Sequence, residues 1–585
     1  MYKILKNFGK REYFFVGLVI IFTCLQTYLD LKLPDYMSEI TMLVQTEGNE
    51  MHEIISAGLK MMGCALASLI LAVVIAIIAA KIAAIFAYKT RKNMFNKVMD
   101  FSMKEINNFS TASLITRTTN DITQVQILIV MGMQMLIKAP ITAVWAIIKI
   151  AGKNTAWMEV TLIAVLVLLS IVSTCMILAI PRFKKLQKLT DNINRIAREQ
   201  LEGLSVVRAY NAENFQGEKF SNANEQFTKN HLFASRTLSF LLPSIQMVSS
   251  GLVLAVYLVG AVLINEAMGM EKLKLFSDMV VFSSYGMQVI MSFMMLVLIF
   301  MILPRASVSA HRINEVLETE NALIYGTEDG ENGLGEIVFD HVFFKYPDAQ
   351  DYVLKDINFT AKKGEVVAFI GATGCGKSTI INLIPRFYDA TEGNIYVNGK
   401  NVKSYSKNAL SSLIGYVSQK ATLFTGTVKS NVIFGDNETL NTEKNALEEA
   451  VETAQADEFV NTLENKYDSF IAQGGNNLSG GQKQRVSIAR AVYRSPDIFL
   501  FDDSFSALDY KTDRALRQAL NVECAGSTRL IVGQRIGTIR HSDKIIVLED
   551  GEIVGMGKHE ELLKNCETYK QIALSQLSEE ELKSA

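Results

Sequence analysis

Within this 585-residue chain, the residues best placed to do chemistry form one short glycine-rich turn, Gly371-Ala372-Thr373-Gly374-Cys375-Gly376-Lys377-Ser378. An apolar stretch, Val366–Ile370, precedes it, and a helix-forming stretch, Thr379–Pro385, follows. In a strand, turn and helix of this kind the backbone N–H groups of the turn point at phosphate oxygens. The helix N-terminus adds its positive end. Lys377 is then placed to contact β- and γ-phosphates, and Ser378 to ligate Mg²⁺. The pattern predicts ATP and Mg²⁺ as cofactors. Cys375 reads as filler in the turn rather than a redox switch.

A second apolar strand, Ile498–Phe501, ends in Asp502 and Asp503. An acid at the end of a buried strand can hold Mg²⁺ through water, which is the role expected of Asp502. Asp503 is placed to polarise the attacking water. Between the two strands lies Leu478-Ser479-Gly480-Gly481-Gln482, at the start of a helical run. Serine and two glycines at a helix start make another anion site. The glycine-rich turn already places one helix end on the phosphates, so this second site is expected to reach a nucleotide on another molecule.

The elements around these motifs fall into two populations. Hydrophobic residues are 49% of the chain and charged residues 20%, but residues up to about 305 carry the long apolar runs. From about 335 onward the chain reads as a soluble α/β domain. A bilayer crossing needs about 20 mostly apolar residues. Six stretches qualify: Tyr13–Leu33, Ile54–Ala87, Ile127–Ile150, Met158–Ile180, Leu238–Ile264 and Phe276–Leu303. The net charge of −2 gives no sign of a nucleic-acid partner. The six cysteines, Cys24, Cys64, Cys175, Cys375, Cys524 and Cys566, form no CxxC pair, which argues against a disulfide framework or zinc site. The first apolar run is read as a retained helix rather than a cleaved signal.

Positive charge sets the orientation. Lys3, Lys6, Lys10 and Arg11 place the N-terminus in the cytoplasm. Asp35, Glu39, Glu47, Glu50 and Glu53 mark the first loop as external. Lys89, Arg91, Lys92 and Lys97, and later Arg182, Lys184, Lys185, Lys188, Arg195 and Arg198, mark inner connections. Both termini are then cytoplasmic. The inner connections keep helical periodicity, so the membrane helices should continue as rods ending in short connecting helices. The candidates are residues 108–120 and 203–215. Lys81, Lys138 and Lys149 are ionisable groups in or near apolar runs, which fits either a pathway role or snorkelling to a headgroup. Met279, Met287, Met291, Met294, Met295 and Met301 enrich the sixth stretch. They suit a surface for varied apolar ligands and suit ordinary packing equally well.

On these motifs, residues 335–565 resemble an ABC ATPase domain, and the whole chain resembles a half-transporter of the type IV ABC exporter family. The resemblance implies a membrane all-α six-helix transmembrane domain (1–315), a linker (316–334) and an α/β P-loop ABC ATPase domain (335–585). It implies that Tyr346 stacks on adenine and that Gln419 senses Mg²⁺ and faces the membrane domain. It makes Ser506–Asp509 the D-loop and Gln473–Asn477 the loop that touches connecting helices. In such proteins each ATP lies between the P-loop of one ATPase domain and the signature of another. Residues Gly371, Thr373, Gly374, Cys375, Gly376, Lys377, Ser378 and Thr379 would hold the nucleotide on one side. Ser479, Gly480, Gly481 and Gln482 would hold the partner's nucleotide.

Two residues depart from the family pattern. Asp503 stands where a catalytic glutamate is usual, and Gln534 where a histidine is usual. Aspartate is shorter, and general-base catalysis requires reach first. Glutamine cannot exchange an imidazole's proton. The combination resembles the degenerate-site subunit of bacterial heterodimeric multidrug-type exporters. The expected partner is a second, homologous half-transporter with a consensus ATP site. The expected setting is the plasma membrane of a bacterium, and the expected cargo drugs or other amphipathic compounds. A lipid or peptide exporter, or a homodimer with a slow ATPase, is the alternative.

Overall fold

The structure is a computed structural model that describes residues 9–46, 51–151, 155–329, 335–347, 349–435 and 445–577. Lys3, Lys6, Glu47 and Glu50, used above for orientation, lie outside the described residues. The chain divides into two compact units. One comprises the described residues up to Met99 together with Thr111–Thr319. The other comprises Asp100–Ser110 and the described residues from Glu320 onward.

The first unit is helical, and six of its segments are long and apolar enough to cross a membrane: Lys10–Gln45, Met51–Asp100, Thr111–Ile150, Thr155–Glu202, Glu213–Glu266 and Met270–Glu318. At 1.5 Å per residue a helix of 50 residues is about 75 Å long, against a hydrocarbon layer of about 30 Å. Such helices must continue well beyond the apolar layer, as the charge pattern of the inner connections requires. The third segment is not one regular helix. Short π-helical turns, Arg117–Asp121 and Gly132–Leu136, interrupt it. The fourth and fifth segments are joined through a short helix, Leu204–Ala209, inside the expected 203–215 stretch.

The lysines singled out in the sequence are partnered. Lys138 Nζ lies 2.8 Å from Asp30 Oδ2, and Lys149 Nζ 2.8 Å from Asp35 Oδ2. Asp35 also accepts a 2.7 Å hydrogen bond from the buried Tyr285 hydroxyl, and Asp30 one from Ser68. These bonds tie the first helix to the second, third and sixth. Lys81 sits over the Phe15 ring, 5.9 Å from its centre. Of the sixth-segment methionines, Met279 is buried while Met287, Met291 and Met301 are exposed.

The first connecting helix differs from expectation. It is Met103–Phe109, several residues earlier than 108–120. Ser102 caps it, and Glu105 at the third helical position bonds back to the Ser102 backbone, a full capping box. Ser110, with φ of 57°, ends it. This segment lies in the second unit. Glu105 accepts from the Ala322 backbone N–H (3.2 Å), and Asn107 donates to the Tyr388 hydroxyl (3.3 Å).

The second unit is built on a six-stranded sheet in the order β12-β11-β3-β10-β9-β6. Its strands are β3 (Val366–Gly371), β6 (Ile414–Val417), β9 (Ile498–Asp502), β10 (Thr528–Val532), β11 (Lys544–Glu549) and β12 (Glu552–Gly557). All pairings are parallel except β11 with β12. A parallel sheet covered on both faces needs near-continuous apolar strands. β9 and β10 meet that need, with every residue buried. A four-stranded antiparallel sheet, β2-β1-β4-β5, adds β1 (Ile337–Phe344), β2 (Leu354–Ala361), β4 (Glu392–Val397) and β5 (Lys400–Asn401), and β7 (Gly426–Thr427) pairs with β8 (Phe470–Ile471). Phe339, Phe359 and Phe369 pack between the sheets, with ring centres 4.6 and 5.5 Å apart. Burying each such side chain stabilises the fold by about 2 kcal/mol.

Candidate functional site

Strand order explains how residues far apart in sequence meet. β3, β10, β9 and β6 are consecutive neighbours, and ligands of open parallel sheets bind beyond the strands' C-terminal ends. β3 ends in the glycine-rich turn, β9 in Asp502 with Asp503 next, β10 just before Gln534, and β6 just before Gln419. Four adjacent strand ends therefore deliver every residue of the predicted catalytic cluster.

The glycines of the turn answer to close approach and backbone sign. A Cβ on Gly371 would stand 2.1 Å from the Leu548 carbonyl oxygen. Gly376 has φ of 101° and caps the helix Lys377–Leu383, and a Cβ there would strike Leu354 at 2.6 Å. Lys377 is buried, and its ammonium donates to the carbonyls of Gly371 (2.9 Å) and Ala372 (2.8 Å). Thr379 Oγ1 lies 3.1 Å from the Tyr346 hydroxyl. Tyr346 meets Tyr388 edge to face at 5.3 Å and Phe344 at 5.0 Å. The residue expected to stack on adenine thus sits at the first turn of the phosphate-loop helix.

Ser378 donates to Asp502 Oδ1 across 2.6 Å. Burial pushes the Asp502 carboxyl up, the Ser378 bond opposes it, and neighbouring Asp503 adds to the rise. A hydroxyl beside a buried carboxylate is a donor set of hard oxygens. It fits Mg²⁺, which takes one or two protein oxygens and completes its shell with phosphate and water. Among the described residues no cluster of three or more His, Cys, Asp or Glu side chains could cage a metal alone. An ion here would be held by Ser378, Asp502 and the nucleotide, neutralising phosphate charge.

Asp503 is buried and has φ of 49°, a backbone conformation Asp tolerates better than most residues. Its Oδ2 accepts two side-chain amides, from Gln419 at 3.2 Å and Gln534 at 2.9 Å. Burial pushes its carboxyl up, opposed first by the Gln419 bond. The structure therefore gathers Ser378, Gln419, Asp502, Asp503 and Gln534 into one cluster.

The signature stands apart from that cluster. Ser479 caps the helix Gly480–Tyr493 in a capping box with Gln482, and Ser479 and Gly480 are exposed. The described side-chain hydrogen bonds of Ser479 and Gln482 are to each other's backbone N–H groups. Further along the helix, Gln484 donates to the Ser418 carbonyl next to Gln419 (3.2 Å), linking this helix to the cluster's edge. Sequence reasoning missed two features of the unit: Tyr388, which joins Tyr346 to the connecting helix, and Gln576, which bonds the backbone around Gln534. The Ser102-x-x-Glu105 pattern could have placed the connecting helix, but no pattern marks Gln576.

A glycine-rich phosphate loop, a strand-end acid pair and an exposed helix-capping signature, on a chain with six membrane-length helices, define a membrane transporter driven by ATP. Residues 16–293 match the ABC transporter transmembrane region, and residues 354–506 match the ABC transporter family. An ABC transporter ATP-binding protein of Mycobacterium tuberculosis is 35% identical over 568 residues, covering 96% of each chain. A Staphylococcus aureus protein named for multidrug export as an ATP-binding/permease protein is 32% identical over 501 residues, covering 83% of each. The structure of a bacterial Atm1-family ABC exporter with ATP bound superposes with a TM-score of 0.80. It covers 97% of this chain and 100% of its own, at 21% identity, and so shares the fold. The chain belongs to the ABC transporter family as an exporter half-transporter. Its second unit is the ATPase coupled to transport.

Proposed function

We propose that the chain is the degenerate-site subunit of a heterodimeric exporter, moving drugs or other amphipathic compounds out across the plasma membrane of a bacterium. The observation that carries this is the Asp503–Gln534 pair. The short carboxylate gives one oxygen to two amides, and the amide of Gln534 has no proton to exchange. Such a site suits nucleotide binding better than turnover. The signature Leu478–Gln482 is complete, with Ser479 and Gly480 exposed, and would close the competent site on the partner's P-loop. The partner is then a homologous half-transporter with glutamate and histidine at the corresponding positions. The short helix Leu204–Ala209 has no buried residue and exposes Leu204 and Val206, with Tyr210 beside it, which favours a second chain as its seat.

In this reading Tyr346, Gly371, Thr373, Gly374, Cys375, Gly376, Lys377, Ser378 and Thr379 bind this chain's nucleotide. Ser378 and Asp502 hold Mg²⁺, Asp502 through water, with Gln419 sensing it. Ser479, Gly480, Gly481 and Gln482 bind the partner's. The domain limits are 1–315, 316–334 and 335–585, with both termini cytoplasmic. ATP closes the two ATPase domains, and the closed pair favours one of two arrangements of the membrane helices. The multidrug reading of the cargo is supported by the name of the Staphylococcus relative and by the exposed sixth-segment methionines.

The test compares two substitutions in the assembled transporter. Gly481→Glu should abolish hydrolysis, because it strikes the competent site. Lys377→Ala should leave a substantial fraction, because it strikes the impaired one. Equal losses from the two would favour the symmetric homodimer.

A further inference from the structure

The last described helix, Glu567–Leu574, packs in the same apolar cluster as the segment following Gln534. Ile536, Ile539, Tyr569 and Ala573 are all buried there. His559 Nδ1 lies 2.6 Å from the Tyr569 hydroxyl, which anchors the helix at its start. Just past its end, Gln576 reaches the backbone on both sides of Arg535. Its carbonyl oxygen accepts the Ile536 N–H at 2.8 Å, and its amide donates to the Gln534 carbonyl at 2.7 Å. One side-chain amide thus holds two backbone groups of a short turn, the way a strand partner would. On the other side of that turn, the Gln534 side chain donates to Asp503. Gln534 and Gln576 also line, with the phosphate loop Gly371–Cys375, a cavity of about 580 Å³.

We infer that Gln576 is a positioning residue of the nucleotide switch. It fixes the backbone of Gln534 so that the Gln534 amide faces Asp503 and the terminal phosphate, and it makes the C-terminal helix part of the ATP site. The inference rests on the reading of Gln534 as a residue that faces that phosphate. A turn held by two hydrogen bonds loses definition when both are removed, and the loss falls on ATP, which has the third phosphate, rather than on ADP.

The full chain in its membrane assembly can be photolabelled with radioactive 8-azido-ATP and 8-azido-ADP. The adenine is expected to stack on the same chain's Tyr346, so label on this chain reports this chain's own site. Gln576→Met keeps length and packing but removes both hydrogen bonds. It should lower the ATP-over-ADP preference about fivefold while leaving ADP labelling and the melting temperature near those of the natural chain. Gln576→Glu keeps the acceptor and loses the donor, and should show an intermediate or equal loss. Gln534→Ala is the reference and should lower the same preference at least as much. If Gln534→Ala changes the preference and Gln576→Met does not, the positioning role is wrong. If Gln534→Ala itself leaves the preference unchanged, the underlying reading of the switch is wrong. If Gln576→Met weakens both nucleotides equally and lowers the melting temperature, Gln576 is structural only.

Discussion

Gln534 donates its side-chain amide to Asp503 Oδ2 across 2.9 Å, on the oxygen that Gln419 also engages at 3.2 Å. Both donors are neutral amides, so they orient the carboxylate without exchanging a proton with the reacting water or phosphate. The acid is held in place by its neighbours yet is one methylene short of the reach a glutamate would have.

Restoring reach and proton exchange together should therefore restore turnover. In the purified chain alone, Asp503→Glu with Gln534→His should raise ATP hydrolysis by about a hundredfold, the lower end of what a positioned general base contributes. Each single change should give much less. A steady-state phosphate-release assay decides it, and a rate unchanged in the double variant would place the block elsewhere.

Tyr346 should contribute to ATP affinity through its ring far more than through its hydroxyl. Tyr346→Ala should weaken ATP binding about tenfold, an aromatic stack being worth about 1 kcal/mol beyond the apolar area lost. Tyr346→Phe removes only the 3.1 Å contact with Thr379 and should change affinity by less than about threefold. Competition against a fluorescent nucleotide measures both.

The two lysine–aspartate pairs of the membrane unit should couple. Asp30→Asn alone leaves the Lys138 charge without its carboxylate. Because both side chains are partly exposed, the cost should be about 2 kcal/mol rather than the larger value of a fully buried pair. Asp30→Asn with Lys138→Met should recover most of it. The same cycle on Asp35 and Lys149 should show a similar recovery, because the asparagine oxygen can still accept from Tyr285, as it can from Ser68 at position 30. Thermal melting in detergent reads the differences.

Stability of the ATPase unit should fall on mild acidification. Burial holds His559 below its usual value of 6.5, so the unfolded chain takes up the proton first. The stabilisation from the neutral ring is complete above about pH 6.5 and is lost as pH falls through the lower folded value. His559→Gln should flatten the melting temperature between pH 7 and pH 5. An unchanged slope would assign the acid sensitivity to other groups.

The phosphate loop, the six spans and the strand-end acids were legible because each signal is local. Glycine spacing marks the turn, run length marks a span, and an all-apolar strand announces its own buried end. The partners of Lys138 and Lys149 were not legible. Asp30 lies 108 positions from Lys138, and whether the two meet depends on how two helices are rotated about their axes. The first connecting helix was displaced because residues 110–113, rich in serine and threonine, look like a helix start. The operative cap is Ser102 with Glu105. Gln576 carried no signal at all, since a lone glutamine near a helix end acquires meaning only from the backbone it touches.

The hydrogen bond between Asn107 and Tyr388 spans 281 positions of chain. At the usual 5–20 residues per second of synthesis, the little helix Met103–Phe109 is made roughly 15 to 55 seconds before its tyrosine exists. For that interval it hangs between two nascent helices without this partner, so the ATPase unit captures a piece delivered long in advance.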